Sequence, residues 1–268
     1  MPGSKRRELK GLVVLKVGGS VITDKKLGNS FRQEVMNRIS REVARCWPTP
    51  LAVVHGAGSY GHPIAKKYKL DQGYKEQNQL EGFVKTIQSV KALNHLVAEA
   101  FIQTGVGAVG IPASMLFIAR KNVIETAHLD LIFSALDLGI IPVTCGDAIF
   151  DRETRFTILS GDDIAVYLAK ALKASRIVFA TDVDGVYEVD RNTGRKVLIN
   201  RMDYRRHASI FYGGVEGDDV TGGMFNKVEV AFEAVKAGVK VCIVNGLVEG
   251  RIEAAVKGEE VVGTTLVE

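Results

Sequence analysis

The sequence predicts an α/β protein in which a mainly parallel, open β-sheet is covered by helices on both faces. Short apolar runs typical of buried strands alternate with amphipathic segments along most of the 268 residues, and such alternation is typical of parallel sheets. Several strand-like runs end in glycine or aspartate, as strands do where loops bind ligands at the carboxyl edge of the sheet. The chain is 46% hydrophobic, which is enough to bury a substantial core.

Composition and charge argue against several classes of function. The net charge is only +4, the basic residues are scattered and aromatic residues are 7%, so nucleic-acid binding is disfavoured. No apolar run approaches the ~20 residues that span a bilayer, and charged residues 5–10 lead into a strand-like run, so we expect a cytoplasmic protein without a membrane partner. Cys46, Cys145 and Cys242 lack metal-ligand spacing and are expected to be buried, reduced thiols.

The first half of the chain alternates predicted strands and helices. The strands are expected at residues 12–17, 51–54, 106–111 and 139–145. Apolar residues keep helical spacing from 31 to 47, and Pro48 ends that helix. Residues 76–104 carry a longer amphipathic pattern, which fits one helix or a broken pair, and Pro112 opens a short helix.

The second half repeats this alternation. Helices are expected over 164–172, 224–237 and 250–257, strands over 176–180, 239–244 and 260–267, and a hairpin or loop tip at 190–194. No internal repeat and no low-complexity linker separates the halves. A boundary between two lobes is therefore expected near 150–175, within one continuous sheet.

A lysine and a glycine turn mark the end of the first predicted strand. Lys16 is followed by Gly18, Gly19 and Ser20, whose N–H groups can form a nest for an anion. Lys16 supplies a compact positive charge for phosphate oxygens, and Lys25 offers a second cation. An ordinary turn with surface lysines is the alternative. A Walker P-loop is excluded, because Gly-x4-Gly-Lys-Ser/Thr is absent.

A second glycine turn, residues 55–62, follows the second strand. Gly56, Gly58 and Gly61 allow the backbone to approach an anion, and their spacing also matches the dinucleotide fingerprint. That fingerprint needs an acidic residue at the end of a strand about 20 residues later. Glu76 lies in polar sequence with no strand before it, so an NAD site is disfavoured.

A histidine lies at each end of this second turn. His62 is placed to donate a hydrogen bond to a substrate oxyanion, although a structural histidine is the alternative. His55 stands at the end of the strand and is expected to satisfy a buried backbone group.

Three further motifs carry carboxylates or lysine. Residues 160–163, Ser-Gly-Asp-Asp, either cap a helix or place Asp162 where it holds lysines in register near a moving phosphoryl group. The turn 181–187, Thr-Asp-Val-Asp-Gly-Val-Tyr, lies at the ligand-binding edge or is simply rich in carboxylates. Residues 221–223, Thr-Gly-Gly, open a helix with Lys227 about one turn inside, which suits the β- and γ-phosphates of a nucleotide.

These motifs, in this order, resemble those of the amino acid kinase superfamily from residue 12 to 267. Within it, the lysine turn with Thr23 and Lys25, the complete turn 55–62 and Ser-Gly-Asp-Asp at 160–163 are similar to those of isopentenyl phosphate kinases, and His62 is the sharpest discriminator. The resemblance implies a three-layer αβα sandwich around a mainly parallel open sheet. It also implies an acceptor-substrate lobe at 1–155 and a nucleotide-binding lobe at 156–268.

The resemblance further implies roles for individual residues. Lys16, Lys25 and Lys227 would stabilise the moving phosphoryl group, Asp162 would organise the lysines, and His62 would bind the acceptor phosphate. ATP would be bound by Lys16, Gly18, Gly19, Ser20, Ala57, Asp182, Tyr187, Gly222, Gly223 and Lys227. The acceptor would be bound by Gly56, Gly58, Gly61, His62 and Gly146. Mg²⁺ is expected with ATP, without an assigned protein ligand, and a homodimer is expected from the resemblance alone.

Two details of the resemblance concern the acceptor. Ala57 stands where many relatives have glycine, and its methyl group could narrow the phosphate turn or be harmless. His62 suits a phosphate or phosphonate better than an α-amino group. The resemblance places an apolar pocket for a five-carbon tail among the segments around 74–96 and 113–133.

The expected reaction is direct in-line transfer of the ATP γ-phosphate to an acceptor phosphate, which is already ionised and needs no strong general base. Two alternatives remain open from the residues. A phosphonate or antibiotic kinase, such as a fosfomycin kinase, could use the same histidine. A non-catalytic nucleotide sensor could use the same fold, although the lysines and Asp162 argue against it.

Overall fold

The computed structural model of the chain describes residues 9–24, 27–190, 193–211 and 222–268. Its strands are β1 (Val13–Val17), β2 (Leu51–His55), β3 (Ala108–Gly110), β4 (Phe117–Arg120), β5 (Val123–Ala127), β6 (Ile141–Cys145), β7 (Asp147–Asp151), β8 (Arg155–Leu159), β9 (Arg176–Thr181), β10 (Tyr187–Val189), β11 (Lys196–Leu198), β12 (Arg201–Met202), β13 (Lys240–Asn245) and β14 (Gly263–Leu266).

Its helices are α1 (Gly19–Ile22), α2 (Gln33–Ala44), α3 (Gly58–Lys67), α4 (Asn78–Ile102), α5 (Ala113–Leu116), α6 (Asp130–Asp137), α7 (Gly161–Ala171), α8 (Tyr204–Phe211), α9 (Gly222–Lys236) and α10 (Arg251–Lys257), with a short 3-10 turn at Leu70–Gln72. No helix within the described ranges has the length and apolar character needed to cross a bilayer.

The main sheet has eight strands in the order β12-β14-β13-β9-β1-β2-β6-β3. Every neighbouring pair is parallel except β13 and β14. Helices pack on both faces, so the predicted three-layer αβα sandwich around a mainly parallel open sheet is confirmed. The central pair β1 and β9 joins strands from the two halves of the chain. The division into lobes at 155 and 156 stays a prediction, and that position falls at the start of β8.

The two faces of β1 explain how the site is built. Val13, Leu15 and Val17 pack with residues of α2, α4 and α10 on one face of the sheet. Because side chains alternate along a strand, Val14 and Lys16 point to the opposite face. That face is covered by α7 and α9, whose apolar residues share a core with Val14. Lys16 is therefore presented to the helices that begin with the Ser-Gly-Asp-Asp and Gly-Gly motifs.

A second sheet, in the order β5-β4-β7-β8, is absent from the sequence-based expectations. Its strands are short and carry charged residues, so their hydrophobic alternation is weak. Asp151 stabilises the β7–β8 connection, because its carboxylate accepts hydrogen bonds from the amides of Asn122, Glu153 and Thr154 at 2.8 to 2.9 Å. The hairpin or loop tip expected at 190–194 is flanked by the antiparallel pair β10 and β11, and residues 191 and 192 within it lie outside the described residues.

Two other expectations are sharpened by the structure. The pattern over 76–104 forms one continuous helix of 25 residues, α4, and not a broken pair. All three cysteines are free thiols, with Cys46 and Cys145 buried as expected and Cys242 only partly buried. Burial raises the pKa of Cys46 to about 11, which makes its thiol unreactive at neutral pH.

Candidate active site

A cavity of about 610 Å³ lies at the carboxyl ends of β1, β2, β6 and β9. Turns that follow these four strands form its walls, as expected for an open parallel sheet. The predicted site residues that line it are Lys16, Gly18, Gly19, Ser20, Gly56, Ala57, Gly58, Gly61, His62, Gly146, Asp162, Asp182, Tyr187, Gly223 and Lys227. Gly222 is the first residue of α9, directly before Gly223. The predicted catalytic residue Lys25 lies outside the described residues.

The wall of the cavity contains a carboxylate bridged by two lysines. Asp162 Oδ1 lies 2.8 Å from Lys16 Nζ, and Asp162 Oδ2 lies 2.7 Å from Lys227 Nζ. Both lysines are nearly buried, at 6% and 8% exposure. The structure thus brings together residues 146 and 65 positions apart in the chain, and the carboxylate keeps the two ammonium groups side by side.

The charges in this bridge shift the pKa values of Asp162 and Lys227. Burial alone would raise the pKa of Asp162, but the ammonium groups of Lys16 and Lys227 outweigh it and lower that pKa to about 2. Burial and the neighbouring Lys16 lower the pKa of Lys227 to about 8, against the opposing effect of Asp162. An anionic ligand would offset the repulsion between the two ammonium groups, because the cluster carries two positive charges and one negative charge.

The contacts at the start of α7 distinguish between the two roles expected for residues 160–163, a helix cap or a partner for lysines. Ser160 caps the helix, since its Oγ accepts a hydrogen bond of 3.1 Å from the Asp162 amide. The Asp162 side chain is therefore not needed as a cap and is committed to the two lysines. Burial and the charge of Asp162 raise the pKa of Asp163, the second acid of the motif.

The two glycine turns contact each other through their backbones. A Cβ placed on Gly19 would lie 2.5 Å from the Gly58 nitrogen, and a Cβ on Gly56 would lie 2.5 Å from the Gly19 nitrogen. Gly58 also has a φ of +51°, which L side chains rarely adopt. Glycine is required at these positions because a side chain would collide with the backbone of the facing turn, and the turns after β1 and β2 thereby form one continuous wall.

The turn after β9 is organised around Asp184, which the sequence-based site did not include. Its carboxylate accepts hydrogen bonds from Tyr187 Oη at 3.1 Å and Asn245 Nδ2 at 3.0 Å, and it pairs with Arg251 Nη1 at 2.5 Å. Asp184 belongs to the Thr-Asp-Val-Asp-Gly motif, so the motif itself was the available signal. Asn245 and Arg251 carried no such signal, because only the pairing of β9 with β13 brings them near.

His62 lines the cavity on the side formed by the turn after β2. His62 is exposed at the first turns of α3, and Ala65, Thr86 and Ile158 line the wall beyond it. Of the segments expected to line an apolar tail pocket, 74–96 contributes Thr86, whereas 113–133, which is fully described, contributes no residue to this cavity. The location of the tail pocket stays a prediction; in this cavity, β8 runs directly into Ser160 and places Ile158 in the wall.

Asp147 is a further carboxylate of this wall that the sequence-based site omitted. It follows Gly146, is buried and accepts a 2.8 Å hydrogen bond from the Ala148 amide. Burial raises the pKa of Asp147 to about 7, although the Ala148 amide and Ser114 oppose the shift. Its position after a strand-ending glycine was a usable signal.

The described residues contain no group of three or more His, Cys, Asp or Glu side chains that could hold a metal ion. Asp162, the bridged carboxylate in the cavity wall, has both oxygens engaged by lysines.

The chain is similar in sequence and in fold to known proteins. The model of the amino acid kinase family matches residues 11–245. The chain is 35% identical over 264 residues to the isopentenyl phosphate kinase of Methanothermobacter thermautotrophicus, covering 95% of this chain and 98% of that protein. It is 32% identical to the isopentenyl phosphate kinase of Methanocaldococcus jannaschii, covering 82% and 86% of the two proteins. A solved structure of isopentenyl phosphate kinase matches with a TM-score of 0.82 at 32% identity, covering 96% of this chain and 100% of that chain.

Proposed function

Because the chain belongs to the amino acid kinase family, we propose that it transfers the γ-phosphate of ATP to isopentenyl phosphate and so forms isopentenyl diphosphate. The observation that carries this proposal is the bridge of Lys16, Asp162 and Lys227 in the wall of a cavity that two glycine turns also line. The relatives that match over most of the chain, and are named for this reaction, support the choice of acceptor over a phosphonate. They equally favour a catalyst over a nucleotide sensor.

The nucleotide is assigned to the side of the cavity nearer α9. Asp182, Tyr187, Gly223 and Lys227 line that side, and the first turn of α9 presents amides to the β- and γ-phosphates. Asp184 supports this arrangement by holding the Tyr187 hydroxyl at 3.1 Å. Lys16 reaches the γ-phosphate from β1, on the other side of Asp162.

The acceptor is assigned to the side formed by the turn after β2. His62 would donate a hydrogen bond to its phosphate, while Gly56, Gly58, Gly61 and Gly146 allow close approach. Ala65 and Ile158, with Thr86, whose hydroxyl donates to the Gly82 carbonyl, would contact the five-carbon tail.

Transfer follows from positioning and charge. A phosphate oxygen of the acceptor forms a bond to the γ-phosphorus as the bond to the β–γ bridging oxygen breaks, and ADP leaves with that electron pair. Lys16 and Lys227 neutralise the charge on the moving group, and Asp162 keeps both ammonium groups in place. Lys25 is proposed to add a third cation. Mg²⁺ is proposed to arrive with ATP as part of the substrate.

Phosphorus NMR tests the proposal. Incubation with Mg·ATP and isopentenyl phosphate should convert the acceptor monophosphate resonance into two coupled diphosphate resonances, with ADP formed in equal amount. A parallel reaction with fosfomycin should leave the phosphonate unchanged. Turnover of fosfomycin alone would replace this function with that of a phosphonate kinase, and ATP binding without turnover of either acceptor would favour a sensor.

Further properties are proposals as well: the dimer rests on the family resemblance, and the location and partners rest on composition and charge. We propose a homodimer, which sedimentation analysis would detect as a species of twice the 29.1 kDa chain mass. We also propose a cytoplasmic location and no nucleic-acid or membrane partner, which fractionation of the producing cell would test.

A further inference from the structure

A buried histidine lies directly beneath the acceptor turn and has no role in the mechanism above. His55 ends β2 and is fully buried. Leu51 and Val53 belong to the core on the α4 face of the sheet, and alternation along β2 places His55 on that same face. There its ring meets Asn94, a buried side chain of α4.

The hydrogen bonds around this pair determine where the imidazole proton is. Asn94 Nδ2 lies 3.1 Å from the Val143 carbonyl oxygen, which can only accept, so the amide nitrogen must occupy that position. The same nitrogen lies 3.2 Å from His55 Nε2 and has a second hydrogen to donate. Nε2 is therefore the acceptor, and the ring proton is on Nδ1, which donates to the Gly56 carbonyl at 3.0 Å.

The neutral ring is consistent with its surroundings. Burial lowers the pKa of His55 to about 4, with Lys16 adding to this effect and the Gly56 hydrogen bond opposing it. A second ring proton would place an N–H group against the Asn94 amide. At neutral pH the side chain is thus a fixed donor of one hydrogen bond to the backbone of the turn.

That hydrogen bond sets the direction of the next amide. The C=O and N–H groups of a planar trans peptide point in opposite directions, so the Ala57 N–H points away from the imidazole that holds the Gly56 carbonyl. Ala57 and Lys16 both line the cavity. Within the described ranges its amide donates no hydrogen bond to the protein, which leaves it available to a ligand oxygen.

We propose that His55 is a positioning residue for phosphoryl transfer: its Nδ1–H holds the Gly56 carbonyl and thereby directs the Ala57 amide at the transferring phosphoryl group, while Asn94 selects the tautomer. This rests on the proposed function, since it assigns the amide to a phosphoryl oxygen. It differs from a purely structural role, because the effect should appear in turnover and not only in folding.

The tautomer is measured directly by ¹⁵N NMR of the imidazoles at pH 7. His55 should show a protonated Nδ1 and an unprotonated Nε2, and its signals are identified by their loss in His55→Asn. A protonated Nε2 would overturn the proposal. This measurement needs no substrate and is independent of which acceptor the enzyme uses.

Kinetics test the consequence for catalysis. His55→Leu removes the donor and should lower kcat by about 10- to 100-fold, somewhat less than loss of a direct oxyanion contact, while KM for ATP stays within about threefold. His55→Asn keeps an N–H group at the same number of bonds from the backbone as Nδ1 and should recover most of kcat. The exposed neighbour His95 offers a matched control, His95→Asn, which should behave as the unaltered protein. Equal kcat in His55→Leu and the unaltered protein, or no recovery in His55→Asn, would refute the role.

Asn94→Leu provides a second route if His55→Leu fails to fold. It removes the donor facing Nε2, so protonation of Nδ1 then depends on the Gly56 carbonyl alone, and any Nε2-protonated tautomer that appears in the NMR spectrum should be matched by a fall in kcat. An unchanged kcat despite a changed tautomer would refute the proposal. Failure of the unaltered protein to turn over isopentenyl phosphate would instead refute the proposed function and leave the tautomer result standing.

Discussion

Two shielded carboxylates in this protein lie in contrasting surroundings, Asp162 in the cavity wall and Glu42 on α2. Asp162 is bridged by Lys16 and Lys227, three side chains in an ionic cluster that lines a cavity. Glu42 is fully buried, pairs with Arg38 and accepts hydrogen bonds of 3.1 and 3.2 Å from the first amides of α10.

The difference lies in what each carboxylate holds. Glu42 binds backbone amides and an arginine that also donates to the Gly246 carbonyl, so it fastens α2 to α10 and to the loop after β13. Asp162 binds the ends of two long side chains, whose ammonium groups line the cavity beside it. Burial and ion pairing alone therefore do not distinguish a structural carboxylate from one at an active site, whereas the partners and the adjoining cavity do.

The largest expected effect is on stability, at Glu42. Glu42→Ala should lower the free energy of unfolding by about 3–5 kcal/mol, because Arg38 and the α10 amides lose their buried acceptor. Urea denaturation measures this, with Glu34→Ala on the exposed side of α2 as the matched control. The folded fraction should keep its kcat. A free energy of unfolding in Glu42→Ala equal to that of the unaltered protein would contradict the structural role of Glu42.

Lys16 should show the converse pattern. Lys16→Met should lower kcat by about 10²–10³, since one cation at the moving phosphoryl group is lost. Its free energy of unfolding should change little, because Asp162 keeps Lys227 as a partner and repulsion between the lysines disappears. Steady-state kinetics and urea denaturation would be compared with those of Lys10→Met, an exposed lysine before β1. A large stability loss with intact turnover would make this cluster structural as well.

Within the cavity, the loss of His62 should affect binding of the acceptor more than binding of ATP. His62→Ala should raise KM for isopentenyl phosphate about 10- to 100-fold, the usual effect of losing a hydrogen bond to a charged group, while KM for ATP changes less than about twofold. Initial-rate kinetics with each substrate varied in turn would show this. Unchanged KM for the acceptor would remove His62 from the acceptor site.

The smallest expected effect is a pH dependence. The pKa of Lys227 lies near 8, below its ordinary value, so its ammonium loses charge as the pH rises through 8. The value of kcat/KM for ATP, which reports the free enzyme, should fall about tenfold per pH unit above that point. Lys227→Arg stays charged and should lack this alkaline decline. A decline at the same pH in Lys227→Arg would assign it to another group.

Local sequence determined much of the fold and of the site. The alternating apolar runs predicted the parallel sheet, and strand-ending glycines, lysines and aspartates predicted the turns that line the cavity. These features were predictable because each depends on a few neighbouring residues: a periodicity, a turn that needs glycine, or a helix start that needs a cap.

Only the tertiary structure decided which of these residues meet. The order of strands in the sheet brings Lys16 to Asp162 and Lys227, places Asn245 and Arg251 on Asp184, and seats His55 on Asn94. The second sheet was missed for a related reason, since its short charged strands are stabilised by pairing and not by their own pattern. A sequence pattern determines which face a side chain occupies, but hydrogen bonds and ion pairs between distant segments depend on how the whole chain packs.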